Sequence, residues 1–284
     1  MDNLIEVRGL VKRYGDFALK AVDLTVPAGC VVGLVGENGA GKTTLLRAIL
    51  GLIRADEGSV ALMGRTPSEP EARAEVAAVF EENACFGHLT AAQAERVMCG
   101  IVPNWDSDCY AGLLEAFGIG GKKLVKDYSK GMRIKLNLAV ALARRPRLLI
   151  LDEPTSGLDP VVRGELLDIL LGFMQDERNA ILVSSHITSD LERIADQIAY
   201  IHAGEMLFQR DKIELMEDMA VVRCSMARIE QLPEELVIAK RGGAFGASAL
   251  VRNPERVRAL MPDAVLDAAS IDDMMRYYAG RDAV

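Results

Sequence analysis

Gly36-Glu37-Asn38-Gly39-Ala40-Gly41-Lys42-Thr43-Thr44 is the stretch that decides the fold. It fits the phosphate-loop pattern G-x-x-x-x-G-K-[ST] with no mismatch. Upstream, Cys30-Val31-Val32-Gly33-Leu34-Val35 is a short apolar run that reads as a buried parallel strand. Downstream, Leu45-Leu46-Arg47-Ala48-Ile49-Leu50 are good helix formers, and Gly51 is a helix stop. Strand, loop and helix thus follow in the order that phosphate binding needs. Glycines let successive backbone N–H groups turn toward phosphate oxygens, and the helix N-terminus adds partial positive charge. Lys42 is placed to reach the β- and γ-phosphates and the Thr43 hydroxyl to hold Mg²⁺.

A second acidic signal completes this one. Arg147-Leu148-Leu149-Ile150-Leu151-Asp152-Glu153-Pro154 is an apolar strand ending in two acids. A carboxylate at Asp152 can share Mg²⁺ with Thr43, and Glu153 can act as general base on an attacking water. The alternative for the two acids is a helix N-cap pair. Lys42 and Asp152 are far apart in the chain, and adjacent parallel strands are expected to bring them together. Ala180-Ile181-Leu182-Val183-Ser184 is another buried strand, and His186 near its tip can contact the γ-phosphate.

The remaining chain supports these strands. Ile5 and Val7, then Val22, Leu24 and Val26, alternate with polar neighbours and predict an antiparallel sheet before the loop. Tyr14, beside Gly15, could stack on an adenine or cover a strand edge. Ser59 to Met63 reads as a strand, and Val76 to Phe80 as a second buried one that runs into Glu81-Glu82-Asn83. Residues from about 84 to 140 are rich in helix formers and read as a helical insert. There, Thr90 with Gln93 forms a capping box, Asp106 or Ser107 caps a helix over roughly 108 to 117, and a further helix starts near Ser129. Pro160 opens another helix. Gln197 to Ile201 and Met206 to Phe208 form a hairpin, a strand covers Val221 to Cys224, Gly242, Gly243 and Gly246 flank a turn, and Ser270 to Asp273 caps a final helix. The expected domains are 1–218 and a small appendage over 219–284, where no catalytic constellation is visible and packing or dimer stabilisation is the favoured role.

Composition narrows the class. Half of the 284 residues are hydrophobic and the formal net charge is −8 with no long basic run, which argues against wholesale nucleic-acid binding. No run of 18 uncharged apolar residues encodes a membrane span, and the first residues lack a secretory signal. Cys30, Cys85, Cys99, Cys109 and Cys224 are odd in number and scattered, which suits a reducing, cytosolic compartment.

Taken in order, these motifs resemble the ATP-binding subunit of an ABC transporter, over roughly residues 3 to 215. Gly36 to Thr43 resembles Walker A, Leu148 to Glu153 Walker B, Ser156 to Asp159 the D-loop, His186 the switch histidine and Tyr14 the adenine-stacking aromatic. Tyr128-Ser129-Lys130-Gly131-Met132 is similar to the signature motif Leu-Ser-Gly-Gly-Gln in Ser129 and Gly131. Ser129-Lys130-Gly131-Met132 and His186-Ile187-Thr188-Ser189-Asp190-Leu191-Glu192 look like bacterial subunits of the bacitracin-export and related efflux branch.

The resemblance implies an α/β fold, the P-loop NTPase core of the ABC type, with N-terminal antiparallel sheet, helical insert and C-terminal appendage. It implies ATP and Mg²⁺ as cofactors. Gly36, Asn38, Gly39, Ala40, Gly41, Lys42, Thr43 and Thr44, together with Tyr14 and Asp159, would bind nucleotide, with Ser129 and Gly131 supplied by a second copy or a paralogue. Catalysis would fall to Glu153, His186, Lys42 and Glu81, and the metal to Thr43, Asp152 and Glu81. Glu81 stands where the family has its Q-loop glutamine, and Lys130 replaces a signature glycine. The implied partners are a second ATP-binding subunit and an integral membrane permease, with no nucleic acid. The implied location is cytoplasmic, peripheral on the inner face of the cell membrane. The rival reading is a soluble ATP-dependent switch that transports nothing.

Overall fold

The computed structural model describes residues 2–80, 86–120, 122–243 and 246–279. Two long strands, β1 (Asn3–Tyr14) and β2 (Phe17–Pro27), form a hairpin that pairs Ile5 with Val26 and Val7 with Leu24. The predicted alternation therefore puts its apolar positions on one face. Next come β3 (Val31–Val35), α1 (Lys42–Ile49) and β4 (Glu57–Leu62), which returns antiparallel to β1 and closes a three-stranded sheet. Gly51, with φ of 67°, ends the α1 segment as expected.

Helix α2 (Pro70–Ala74) and β5 (Val76–Val79) follow. The helical insert holds α3 (Ala91–Ile101), α4 (Ser107–Ala116), a 3-10 turn (Val125–Asp127) and α5 (Lys130–Leu142). The Thr90–Gln93 capping box forms in both directions, and Asp106 rather than Ser107 caps α4. The central strands and helices are then β6 (Leu148–Asp152), α6 (Pro160–Phe173), β7 (Ala180–Ser185), α7 (Thr188–Ile194), β8 (Gln197–His202) and β9 (Glu205–Asp211).

A six-stranded sheet runs β5-β6-β7-β3-β8-β9, parallel except for the last pair. Its central strands are buried on both faces, which explains their unbroken apolar runs. Val32, Leu34, Leu148, Ile150 and Leu182 face the N-terminal sheet and α1. Val31, Val35, Leu149, Leu151, Ile181 and Val183 face the helices, meeting Leu138, Leu166, Leu170 and Leu191. The order corrects one expectation. Strands β3 and β6 are not neighbours, because β7 lies between them. The two can still cooperate because β7 ends in the small pair Ser184-Ser185, which leaves room for groups from either side to meet above its tip.

Beyond α8 (Lys212–Asp218), the sequence had shown only a strand, a turn and a last helix. The chain builds β10 (Met219–Cys224), α9 (Met226–Ile229), β11 (Val237–Gly243), β12 (Gly246–Arg252), α10 (Pro254–Leu260), β13 (Val265–Ala268) and α11 (Ile271–Ala279). Its sheet runs β11-β12-β10-β13, all antiparallel, the βαββαβ order of a split β-α-β unit. Ala220 and Val222 face Ile229 and Val257 of α9 and α10, whereas Met219 and Val221 face the cluster that contains α11.

Candidate active site

The phosphate-binding loop is fixed by close approaches. A side chain at Gly36 would meet the Ile201 carbonyl oxygen at 2.3 Å. Gly41, the residue before α1, has φ of 109°, and a Cβ there would press on Leu19 and Phe17 at 2.7 and 2.8 Å. Glycine is required at both points, once for space and once for a left-handed backbone as well.

Lys42 starts α1 and is buried. Its Nζ donates to the Gly36 carbonyl at 2.7 Å and to the Glu37 carbonyl at 3.2 Å, and lies 3.4 Å from Glu153 Oε1. Thr43 Oγ1 donates to Asp152 Oδ2 at 2.8 Å. The other carboxylate oxygen accepts from Ser184 Oγ at 2.6 Å, and Ser184 Oγ in turn accepts from the Glu153 amide at 3.1 Å. Ser184, from the intervening strand β7, thus clamps the Asp152 carboxylate and the backbone of Glu153 just past the end of β6. The sequence signal for it was the hydroxyl pair closing an apolar run.

Glu153 has φ of 51°, a left-handed conformation that a glutamate rarely adopts. Its side chain is only 15% exposed and its Oε2 lies 2.6 Å from His186 Nδ1 while accepting from the His186 amide at 3.2 Å. Lys42, Glu153 and His186 therefore form a chain of charge and hydrogen bonds along one wall.

Lys42, Thr43 and Glu153 border an open cleft of about 550 Å³ that also includes Asn38, Gly39 and Thr44. Its aromatic wall is Phe17, across the Gly15-Asp16 turn from Tyr14. Tyr14 sits at the hairpin tip, 47% exposed, with Lys12 Nζ 5.2 Å from its ring centre, outside the cleft's lining. The signal missed was a second aromatic in the same turn. Ala40 is buried in the loop behind the cleft.

Other predicted residues lie elsewhere. Ser129 caps α5, its Oγ accepting from the Met132 amide, and Gly131 packs toward Leu158 and Val162 rather than on Lys42. Lys130 crosses Gly157, its Nζ 3.2 Å from where a Cβ would stand. Asp159 caps α6, accepting from the amides of Val161 and Val162 at 3.1 Å each. The helix-cap role considered for Asp152 and Glu153 belongs to Asp159. Glu81 lies outside the described residues.

The donor set suits Mg²⁺. The Thr43 hydroxyl and the Asp152 carboxylate converge as hard oxygen ligands, and Mg²⁺ takes one or two such groups when substrate phosphates supply others. Together the loop, its lysine and the adjoining carboxylates can bind a nucleoside triphosphate and activate water beside it.

The comparisons agree with this geometry. The pattern of the ABC transporter family matches residues 19–156. The chain is 35% identical over 211 residues to the lantibiotic transport ATP-binding protein SrtF of Streptococcus pyogenes, covering 73% of this chain and 91% of the relative. It is 34% identical over 214 residues to the bacitracin transport ATP-binding protein BcrA of Bacillus licheniformis, covering 73% and 69%. Among solved structures, an ATP-binding subunit of an ABC transporter superposes with a TM-score of 0.66 at 27% identity, covering 75% of this chain and 91% of its own. A clamped phosphate loop, paired acids at the tip of β6 and this depth of similarity place the chain in the ABC transporter ATP-binding family, as an ATPase.

Proposed function

We propose that this chain hydrolyses ATP to drive export of a small molecule or peptide through a separately encoded membrane permease. The observation that carries it is the convergence of Lys42, Thr43, Asp152, Glu153 and His186 above the tips of β3, β6 and β7. The names of the similar proteins, lantibiotic and bacitracin transport ATP-binding proteins, support a small molecule or peptide as cargo. A groove between β5 and the insert, lined by Ala78, Phe86, Val97, Met98, Ile101 and Val140, offers an apolar seat for the permease. No described helix is long and apolar enough to cross a membrane, so this reading assigns the pathway to another polypeptide. It places the chain on the cytoplasmic face of the membrane, held there by the permease.

In this reading residues 1–218 are the ATP-binding domain and the following residues a separate module. In support, β10 to β13 pair only with one another among the described residues. Lys42 leaves Glu153 for the phosphates as ATP enters, and the loop amides hold the phosphate oxygens. Thr43 and Asp152 hold Mg²⁺, which supplies charge neutralisation on the phosphates. Glu153, freed from Lys42, takes the proton of the attacking water, and His186 orients it. Glu81 is assigned to the same water and metal. Phe17, in the cleft's lining, is the aromatic surface offered to the adenine, with Tyr14 opposite it across the turn.

Ser129 and Gly131 lie outside this cleft, so a second copy or a paralogue must present them to the γ-phosphate. The test is complementation between Lys42→Ala and Ser129→Arg chains, each inactive alone. A mixed dimer holds one site with both defects and one with neither, so activity should reappear on mixing. Full activity from a demonstrated monomer, independent of protein concentration, would refute the shared site.

A further inference from the structure

We infer that helix α11 positions His186, acting through Glu192 on the intervening helix α7, so that the C-terminal module governs turnover at the ATP site. The inference rests on the role proposed above for His186.

Only Ile187 separates His186 from α7, so the seat of α7 determines where His186 emerges. The inner side of α7 is fixed by contact. Leu191 is fully buried on β3, and a Cβ on Gly33 would stand 3.1 Å from both its δ-carbons. Arg193 ties the same helix to Asp168 of α6 at 2.6 Å. A further tie is Glu192, whose Oε1 accepts from the Ile271 amide at 3.1 Å. Its backbone carbonyl also accepts from Lys212 Nζ at 2.8 Å.

Ile271 is the first residue of α11, where backbone donors lack intrahelical partners. Ser270 Oγ accepts from the Asp273 amide at 3.0 Å, and Asp273 Oδ2 accepts from the Ser270 amide at 3.1 Å. The Ile271 amide is outside that reciprocal box, and Glu192 completes the cap from another element. A carboxylate in this position is favoured by the partial positive charge of the helix N-terminus. The joint between α7 and α11 is therefore polar and directional.

Helix α11 is itself held from two sides. Tyr278 packs 5.4 Å from the Tyr200 ring and 5.5 Å from Phe208, and Tyr200 Oη donates to the Met275 carbonyl. On the module side, Tyr277 Oη donates to Ser248 Oγ at 2.7 Å, and the Arg241 guanidinium lies over the Tyr277 ring. A displacement of the module sheet must therefore carry α11 with it. Burial of an apolar helix face would need none of this. A half-buried carboxylate costs solvation and stands here between α11 and the helix following His186. The 2.6 Å contact between His186 and Glu153 lies at the other end of the short segment that leads into α7.

The experiment compares full-length wild type, Glu192→Ala and Glu192→Gln. ATP-dependent phosphate release yields kcat and KM, and hydrogen exchange follows residues 186–194. A hydrogen bond to a charged group at a positioning joint predicts a roughly tenfold lower kcat for Glu192→Ala with KM for ATP within about twofold. Exchange should quicken over 186–194 and stay unchanged over α1. Glu192→Gln still accepts from Ile271 and should recover most of kcat. Should Glu192→Ala fail to fold, Tyr278→Leu loosens the other end of α11 and should lower kcat in the same way. Wild-type kcat in the Ala or Leu variant, or a loss that Gln does not recover, overturns the inference. A wild-type chain that hydrolyses ATP but ignores His186→Ala would instead overturn the role assumed for His186, and exchange would still report on the joint.

Discussion

Replacing Glu153 by Gln should separate ATP binding from ATP hydrolysis in opposite directions. Oε1 of Glu153 lies 3.4 Å from Lys42 Nζ, and both side chains are largely buried, at 15% and 7% exposure. Two unit charges at that separation attract by about 5 kcal/mol at an effective dielectric constant of about 20. Most of this is cancelled by the cost of removing the charges from water, and the two carbonyls of Gly36 and Glu37 hold Lys42 in either variant. A net of about 1.5 kcal/mol remains, the lower end for a hydrogen bond to a charged group. That energy opposes ATP, because Lys42 must leave Glu153 to reach the phosphates. The Gln variant should therefore bind ATP about tenfold more tightly. Turnover should fall by roughly 10²-fold or more, about 2.7 kcal/mol in activation free energy, because an amide takes no proton from water. Equilibrium titration with labelled Mg-ATP and phosphate release at saturating ATP measure the two quantities. Turnover within tenfold of wild type would refute the assignment of the base, and weaker ATP binding would refute the ion-pair argument.

Gly36→Ala should abolish nucleotide binding and lower thermal stability, since its Cβ would stand 2.3 Å from the backbone oxygen of Ile201; ATP binding and a melting curve test this, and wild-type values for both would refute it. Cys30 is buried, and burial first, then the charges of Asp196 and Asp211, push its thiol up to about 12 from 9.0. It should resist alkylation at pH 8 while the exposed Cys99 reacts. Because the folded chain keeps a proton that the unfolded chain has lost between pH 9.0 and about 12, stability from this group should fall as pH rises through that window. Mass spectrometry of the labelled thiols and denaturation midpoints against pH, with Cys30→Ala as control, measure both effects.

How far a feature was legible in the sequence depended on whether its partners were local. The phosphate loop was legible because its strand, glycines, lysine and helix are contiguous, and their spacing dictates where each group points. Caps at Thr90 and Ser270 were readable for the same reason, being contacts across three residues, and at α4 the choice was narrowed to Asp106 or Ser107. Strand order was not, because nothing in the spacing of Lys42 and Asp152 says how many strands separate them. The insertion of β7 also hid Ser184, whose role exists only once β6 and β7 lie side by side. Phe17 was hidden because the facing of the first residue after the turn follows from hairpin geometry rather than from its type.

The C-terminal module was obscured by a different cause. Its strand β11 carries Lys240, Arg241 and two glycines, so it lacks the apolar alternation that marks a half-buried strand. Those same residues have tertiary work. Arg241 covers Tyr277 and donates to the Arg276 carbonyl, which fixes α11 against the sheet. Residues chosen for contacts across elements dilute the periodic signal of their own element. Weak local pattern joined to specific long-range polar contacts is therefore informative in itself. In this chain it marks the path from the module sheet through α11 and Glu192 to the helix that follows His186.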